Sequence, residues 1–388
     1  MLNFEYWNPT RIIFGKDQFG ALDTYVPKEA NILITYGGGS AERTGLLDRV
    51  RTALGDRKFK TMGGIEPNPS YETLMKFVKV VKEEKIDFLL AVGGGSVIDG
   101  TKFIAWAANY DGDATDLLKN GYPEVPLTMV NKATPIGTVL TIPATGSEMN
   151  NGAVISYGDG KFPVMSRLVF PQFSILDPTV TFTLPQKQVE NGVVDTFVHT
   201  TEQYLTFPVD GRIQDRFAEG ILQTLIEIGQ TTINEPENYD ARANHVWAST
   251  LALNTLIGSG VPQDWATHMI GHEITALTHI DHGRTLAIVL PSLLTVQKDK
   301  KMAKLVQYAE RVWGITEGSD EEKADAAIAK TREFFESLGV PTKLSAYDLD
   351  KSVIDQVVKQ LEEHGFTQLS EDGSVTPEVV RQILTLAY

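Results

Sequence analysis

Four of the seven histidines in this 388-residue chain fall within one stretch, THMIGHEITALTHIDHGR at residues 267–284: His268, His272, His279 and His282. Imidazoles crowded in this way can bind a metal ion or pass protons, because the neutral ring nitrogen is a ligand and the ring titrates near neutrality. A second pair, Asp195 and His199, stands four residues apart in VVDTFVHTTEQY. On a helix that spacing puts two side chains on one face, with Cβ atoms about 6 Å apart, close enough to reach one ion. His268 and His272 repeat the spacing. The string HEITA resembles the H-E-x-x-H of zinc peptidases, but Ala276 stands where the second histidine is needed, so the peptidase reading falls. If residues 268–282 formed one straight helix, a rise of about 1.5 Å per residue would hold His268 about 21 Å from His282. Sharing an ion therefore requires the helix to end within THIDHGR, whose β-branched, Asp and Gly residues favour a turn. Spacing alone does not rank His272, His279 and His282. One carboxylate with two or three imidazoles is a nitrogen and oxygen site suited to Zn²⁺ or Fe²⁺, with a position open to substrate.

The other chemistry-bearing feature is a repeated loop. The apolar run NILITY leads into Gly37-Gly38-Gly39-Ser40, and DFLLAV leads into Gly93-Gly94-Gly95-Ser96. Glycines between a strand and a helix let backbone N–H groups approach a phosphate, and an open α/β sheet binds ligands at the carboxyl ends of its strands. Neither loop fits G-x-G-x-x-G, since the sixth positions are Glu42 and Ile98. The first loop carries small neutral residues, Gly39 and Ser40, with Arg43 nearby, where an NAD site commonly has a carboxylate for the ribose 2′-hydroxyl. That difference favours a 2′-phosphate, hence NADP.

The elements that must position these groups follow from patterning. NILITY, DFLLAV and IGTVLTI (136–142) predict buried strands, residues 71–85 predict an amphipathic helix, and AVISY and FSILD extend the strand-rich part. From Lys187 onward the pattern is almost wholly helical; Ser319 with Glu322 fits a capping box, and Gly339 with Pro341 stops that helix. The expected organisation is an α/β dinucleotide-binding domain over residues 1–185 and an all-helical metal-binding domain over 186–388. Net charge −15 argues against nucleic acid, and the absence of cysteine excludes thiolate ligands and disulfides. No stretch of about 18 apolar residues and no leader pattern is visible, which predicts no membrane segment and a cytoplasmic protein.

NPTRIIFG, EPNP, GGGSVIDGTK, TIPATGSEMN, the Asp195/His199 pair and the H-x3-H-x9-H spacing of 268, 272 and 282 together resemble the iron-containing (group III) alcohol dehydrogenases. The likeness spans the chain and is greatest to the butanol-dehydrogenase-like branch, including the broad-substrate NADPH-dependent aldehyde reductases of enteric bacteria. It implies a dehydroquinate-synthase-like fold, a homodimer and one divalent metal held by Asp195, His199, His268 and His282. By the same resemblance His272 lies beside the nicotinamide as a catalytic residue, and His279 matches no family position. The implied cofactor contacts are Gly38, Gly39 and Ser40 at the adenosine end, Asn68 at a ribose, and Gly94, Gly95, Ser96 and Asp99 at the pyrophosphate and ribose. Thr141, Thr145, Asn150 and Lys161 match the nicotinamide half, as does Thr183. NAD-using members often carry an acidic residue at the position of Gly39, so the resemblance also implies NADPH.

The expected reaction is hydride transfer between NADP(H) and a small aldehyde, the metal polarising the carbonyl oxygen. Trp265 and residues 255–258 are candidates for the substrate pocket or for the core. Glu202 and Glu273 read as solvated or as partners of the metal ligands, and His245 and His364 as ordinary helix residues. A lyase of the dehydroquinate synthase type should carry more Lys and Arg around its metal, and the paired glycine loops argue against a metallohydrolase.

Overall fold

Side-chain alternation in the first apolar run sets up the architecture. In β2 (Asn31–Tyr36), Ile32 and Ile34 enter one apolar cluster and Leu33 the opposite one, as the two-residue period of a strand covered on both faces requires. β4 (Phe88–Gly93) is buried along its whole length for the same reason. With β1 (Arg11–Phe14), β3 (Lys58–Met62), β5 (Ile136–Leu140) and β8 (Phe173–Leu176) these strands form one parallel sheet in the order β1-β8-β5-β4-β2-β3. Between β5 and β8 the chain makes a separate antiparallel hairpin, β6 (Gly152–Tyr157) with β7 (Gly160–Met165). AVISY is thus a strand, but one outside the parallel sheet. This computed structural model describes residues 1–119 and 130–388.

The predicted helix is Tyr71–Glu83, burying Leu74, Phe77, Val78 and Val81, with Ser70 accepting the Thr73 N–H at its start. β2 pairs with β3 on one side and β4 on the other, so the crossovers diverge between β2 and β4. Tyr36 is in register with Val92, which brings the two glycine loops out side by side at that switch point.

The other compact unit is helical. It contains Gln186–Tyr204, Arg212–Asn234, Ala266–Thr278, His282–Val296, Lys298–Arg311, Asp320–Ser337, Val353–Glu363 and Pro377–Ala387. The fold class expected from sequence, α/β followed by all-helical, is the one observed. The Ser319/Glu322 capping box is present with both of its hydrogen bonds.

Two segments depart from a single cut near residue 185: Pro236–Val246 belongs to the α/β unit and Met1–Tyr6 to the helical one. Buried Arg242 donates to the Thr181 carbonyl at 2.8 Å, and Val246 joins the sheet's apolar cluster. The Leu2 N–H donates to the Gly260 carbonyl at 2.9 Å. Such pairings across long sequence separations leave no periodic signature in the chain. Among the described residues no helix is long and apolar enough to cross a membrane.

Candidate functional site

The metal-ligand candidates are assembled by a break in one helix. Ala266–Thr278 carries His268 and His272 and then stops at His279, which is exposed and in the left-handed region with φ 59°. A new helix, His282–Val296, opens with His282. The turn between them is tied to the helix of Asp195: Asn191 Nδ2 donates to Asp281 Oδ2 at 3.2 Å, and Lys187 pairs with the same oxygen at 2.7 Å. Gly283 permits the approach, since a Cβ there would lie 2.6 Å from the Asn191 carbonyl oxygen. The sequence argument required this break, and left-handed His279 with the following Asp and Gly supplies it.

Asp195, His268 and His282 then present ligand atoms all within 4.8 Å of one another. His268 Nε2 lies 3.6 Å and His199 Nδ1 3.3 Å from Asp195 Oδ1. His199 reaches the group through Asp195 and by packing on His268, with ring centroids 4.4 Å apart. Asp195 Oδ1 and His268 Nε2 are buried and lack a hydrogen-bond partner. Buried polar atoms without partners are costly, and two that converge as acceptors fit a cation. Burial opposes charge on His268, but the Glu202 and Asp195 carboxylates outweigh it and raise that imidazole to about 9. The field that would hold a proton there equally favours a metal ion. Asp195, His268 and His282 offer the nitrogen and oxygen donors suited to a Zn²⁺ or Fe²⁺ centre, and His199, expected as a fourth ligand, adjoins this group of three without being part of it. His272 is buried beside the group, its ring centroid 4.7 Å from that of His282 and 6.2 Å from that of His268. Trp265 stands edge-on to His199 and His268 at 6.2 and 5.4 Å.

From the sequence Glu202 reads as solvated or as a partner of a metal ligand, and the structure places it as the latter kind, beside His268. It is buried, pairs with His268 Nδ1 and accepts the Thr267 N–H at 2.6 Å. The available signal was its spacing, since Asp195, His199 and Glu202 follow the four-then-three step of a single helix face. Glu273 is also buried and pairs with His364 Nδ1 at 2.9 Å, so neither is a solvated helix residue.

The dinucleotide candidates gather on the α/β unit. Gly39 has φ 96°, and Arg43 Nη1 lies 3.4 Å from the site its Cβ would occupy. Asn68, Ser96 and Lys161 form one chain: the Asn68 N–H donates to Ser96 Oγ at 3.3 Å, and Lys161 Nζ to Asn68 Oδ1 at 2.8 Å. Asp99 accepts from Ser147 Oγ at 2.5 Å and the Val154 N–H at 2.9 Å; burial raises its carboxyl, and Lys102 opposes that rise. Gly94 and Gly95 begin the helix bearing Ser96 and Asp99. The Thr141 N–H donates to the Gly93 carbonyl at 3.0 Å, and Thr145 Oγ1 accepts the Ser147 N–H at 3.3 Å. Thr183 ends the turn Pro178–Thr183, is exposed, and makes no hydrogen bond to these loops among the described residues.

Lys102 was not singled out by sequence reasoning. Fully buried, it donates to Ser147 Oγ at 2.8 Å, Asn150 Oδ1 at 2.9 Å and the Gly152 carbonyl at 2.8 Å. Burial lowers its ammonium to about 8 despite the nearby Asp99. Its only sequence signal was its place ten residues into the second glycine motif.

The family profile "Iron-containing alcohol dehydrogenase" matches residues 9–178, and "Fe-containing alcohol dehydrogenase family, C-terminal" matches residues 189–387. The chain is 60% identical over 392 residues to the NADPH-dependent aldehyde reductase YqhD of Escherichia coli K12, covering 100% of each. It is 42% identical to the probable NADH-dependent butanol dehydrogenase 1 of Bacillus subtilis, covering 94% of this chain and 95% of the relative. The substrate- and cofactor-free form of the E. coli aldehyde reductase superposes with a TM-score of 0.93 at 58% identity and full coverage of both chains. The NADH-dependent butanol dehydrogenase A of Thermotoga maritima superposes with a TM-score of 0.91 at 34% identity, covering 100% of this chain and 99% of that one.

Proposed function

Because the chain belongs to the iron-containing alcohol dehydrogenase family, we propose that it is a metal-dependent enzyme reducing small aldehydes to primary alcohols with NADPH, and catalysing the reverse oxidation. The observation carrying this reading is the convergence of buried, partnerless acceptors on Asp195 and His268 with His282. In the bound state a Zn²⁺ or Fe²⁺ ion supplies Lewis acidity to the carbonyl oxygen and the nicotinamide supplies the hydride.

The protein's own residues do the rest. Asp195, His199, His268 and His282 would hold the ion. His272 is the residue beside that group able to hold a proton and pass it to the product oxygen. Gly38, Gly39 and Ser40 receive the adenosine 2′-phosphate. Asn68, Gly94, Gly95, Ser96 and Asp99 bind the pyrophosphate and ribose, and Thr141, Thr145, Asn150, Lys161 and Thr183 line the nicotinamide half. NADPH is preferred because no carboxylate occupies position 39 and Arg43 lies against it.

The finer settings belong to the same reading: two domains serving cofactor and metal, a cytoplasmic location and a homodimer. Exposed Met1, Leu2, Phe4, Phe207, Ile213 and Phe217 on the helical unit are apolar surface suited to a second copy. The test compares NADPH with NADH consumption by metal-replete protein given a small aldehyde. Aldehyde-dependent consumption with NADPH preferred is expected; none with any small aldehyde overturns the proposal.

A further inference from the structure

Resting on the metal centre just proposed, we infer that Glu202 is a positioning residue: its carboxylate fixes His268 in the Nδ1-protonated form and adds the second negative charge that balances a divalent ion. Four observations on the helical unit carry this.

First, Glu202 is 2% exposed, and both oxygens are engaged, one by His268 Nδ1 and the other by the Thr267 N–H at 2.6 Å. Nδ1 is the ring nitrogen that faces a carboxylate oxygen, which accepts an N–H there, and Nε2 is the one left to present its lone pair on the far side of the ring. Second, that Nε2 lies 3.6 Å from Asp195 Oδ1, among the atoms that converge for an ion. Third, the Glu202 charge is itself supported. Thr267 is in the first turn of Ala266–Thr278, where free N–H groups and the helix dipole favour an anion. Fourth, the backbone around Glu202 is pinned. The Asp264 N–H donates to the Glu202 carbonyl at 2.8 Å, and Asp264 Oδ1 accepts the Ala266 N–H at 3.0 Å. Buried Lys301 holds Asp264 Oδ2 at 2.8 Å, the Glu371 carboxylate at 2.9 Å and the Leu205 carbonyl at 2.7 Å. Lys301 therefore answers the outer carboxylates, leaving Asp195 and Glu202 as two charges for one divalent ion.

The test is Co²⁺ binding, measured by chelator competition and by the visible ligand-field spectrum, on full-length protein. The parent should bind one Co²⁺ with the intense bands of a tetrahedral site. E202Q should lose about 10- to 100-fold in affinity and shift those bands, as expected when the hydrogen-bonded partner of a metal histidine is weakened. E202D, which keeps the charge but draws it back by one methylene, should lose less and retain more of the parent spectrum. E219Q is the control, because Glu219 accepts from Tyr204, Gln307 and Arg311 and touches no proposed ligand. Its Co²⁺ affinity should match the parent's even if its melting temperature falls. Parental affinity and spectrum in E202Q, or an E202D that loses as much as E202Q, would overturn the positioning role while leaving the metal centre standing. A parent that binds no Co²⁺ overturns the metal centre itself, and this inference with it.

Discussion

At the residue scale the four clustered histidines are not equivalent. His279 ends a helix, exposed and left-handed, whereas His268 is buried between two carboxylates. His279→Gln should leave metal content and turnover near parental, while His268→Ala should lose both; loss of metal in His279→Gln would show that the assignment is out of register. Lys102 is the residue whose importance comes only from the structure. Lys102→Met removes the ammonium that orients Ser147 and Asn150, and each charge-assisted hydrogen bond contributes about 1.5–3 kcal/mol. NADPH affinity should fall by about tenfold or more, with metal content unchanged. Fluorescence titration with NADPH and metal analysis check both halves of that expectation. The ligand types were legible because chemistry and spacing are local properties: Asp195/His199 and His268/His272 share helix faces. Glu202 was half legible, since its spacing matched but nothing in the sequence said that its face is buried. Lys102 was illegible, because a lysine near a glycine loop reads as solvated until the elements packed over it are known.

At the scale of elements two devices matter, and each has a prediction. The helix pair ending at Thr278 and starting at His282 brings the third histidine back, and Gly283 lets the second helix approach Asn191. Gly283→Ala puts a methyl 2.6 Å from that carbonyl oxygen. The strain should cost about 1–3 kcal/mol and move His282 off the ligand group. A lowered melting temperature with weaker metal retention is the expected pair of readings; unchanged metal retention would mean that the approach is not what places His282. The second device is the switch point, where the loops after β2 and β4 emerge together. Gly39→Asp places a carboxylate beside the 2′-phosphate position in a left-handed backbone, and should shift the NADPH/NADH efficiency ratio toward NADH by about tenfold or more. Steady-state kinetics with both cofactors measure it. β2, β4 and β5 were legible as apolar runs. β1 and β3 were not: they are short edge strands, and in each only some of the residues are shielded from solvent. Edge strands lack the continuous burial that makes central ones visible.

At the scale of the molecule an α/β unit and a helical unit make up a chain of the iron-containing alcohol dehydrogenase family. The change of architecture after residue 185 was legible as a change of periodicity. The crossing segments Met1–Tyr6 and Pro236–Val246 were not, because contacts between sequence-distant residues decide them. The exposed apolar residues on the helical unit predict a dimer by light scattering; Phe4→Asp with Phe217→Asp should shift it toward monomer. The central claim is tested most directly by removing and restoring the metal. Protein stripped with a chelator and freed of it by dialysis should bind NADPH yet fail to oxidise it with a small aldehyde, and recover turnover as one equivalent of Zn²⁺ or Fe²⁺ is returned. Turnover that survives complete metal removal, or that never appears in the fully loaded protein, would contradict the account.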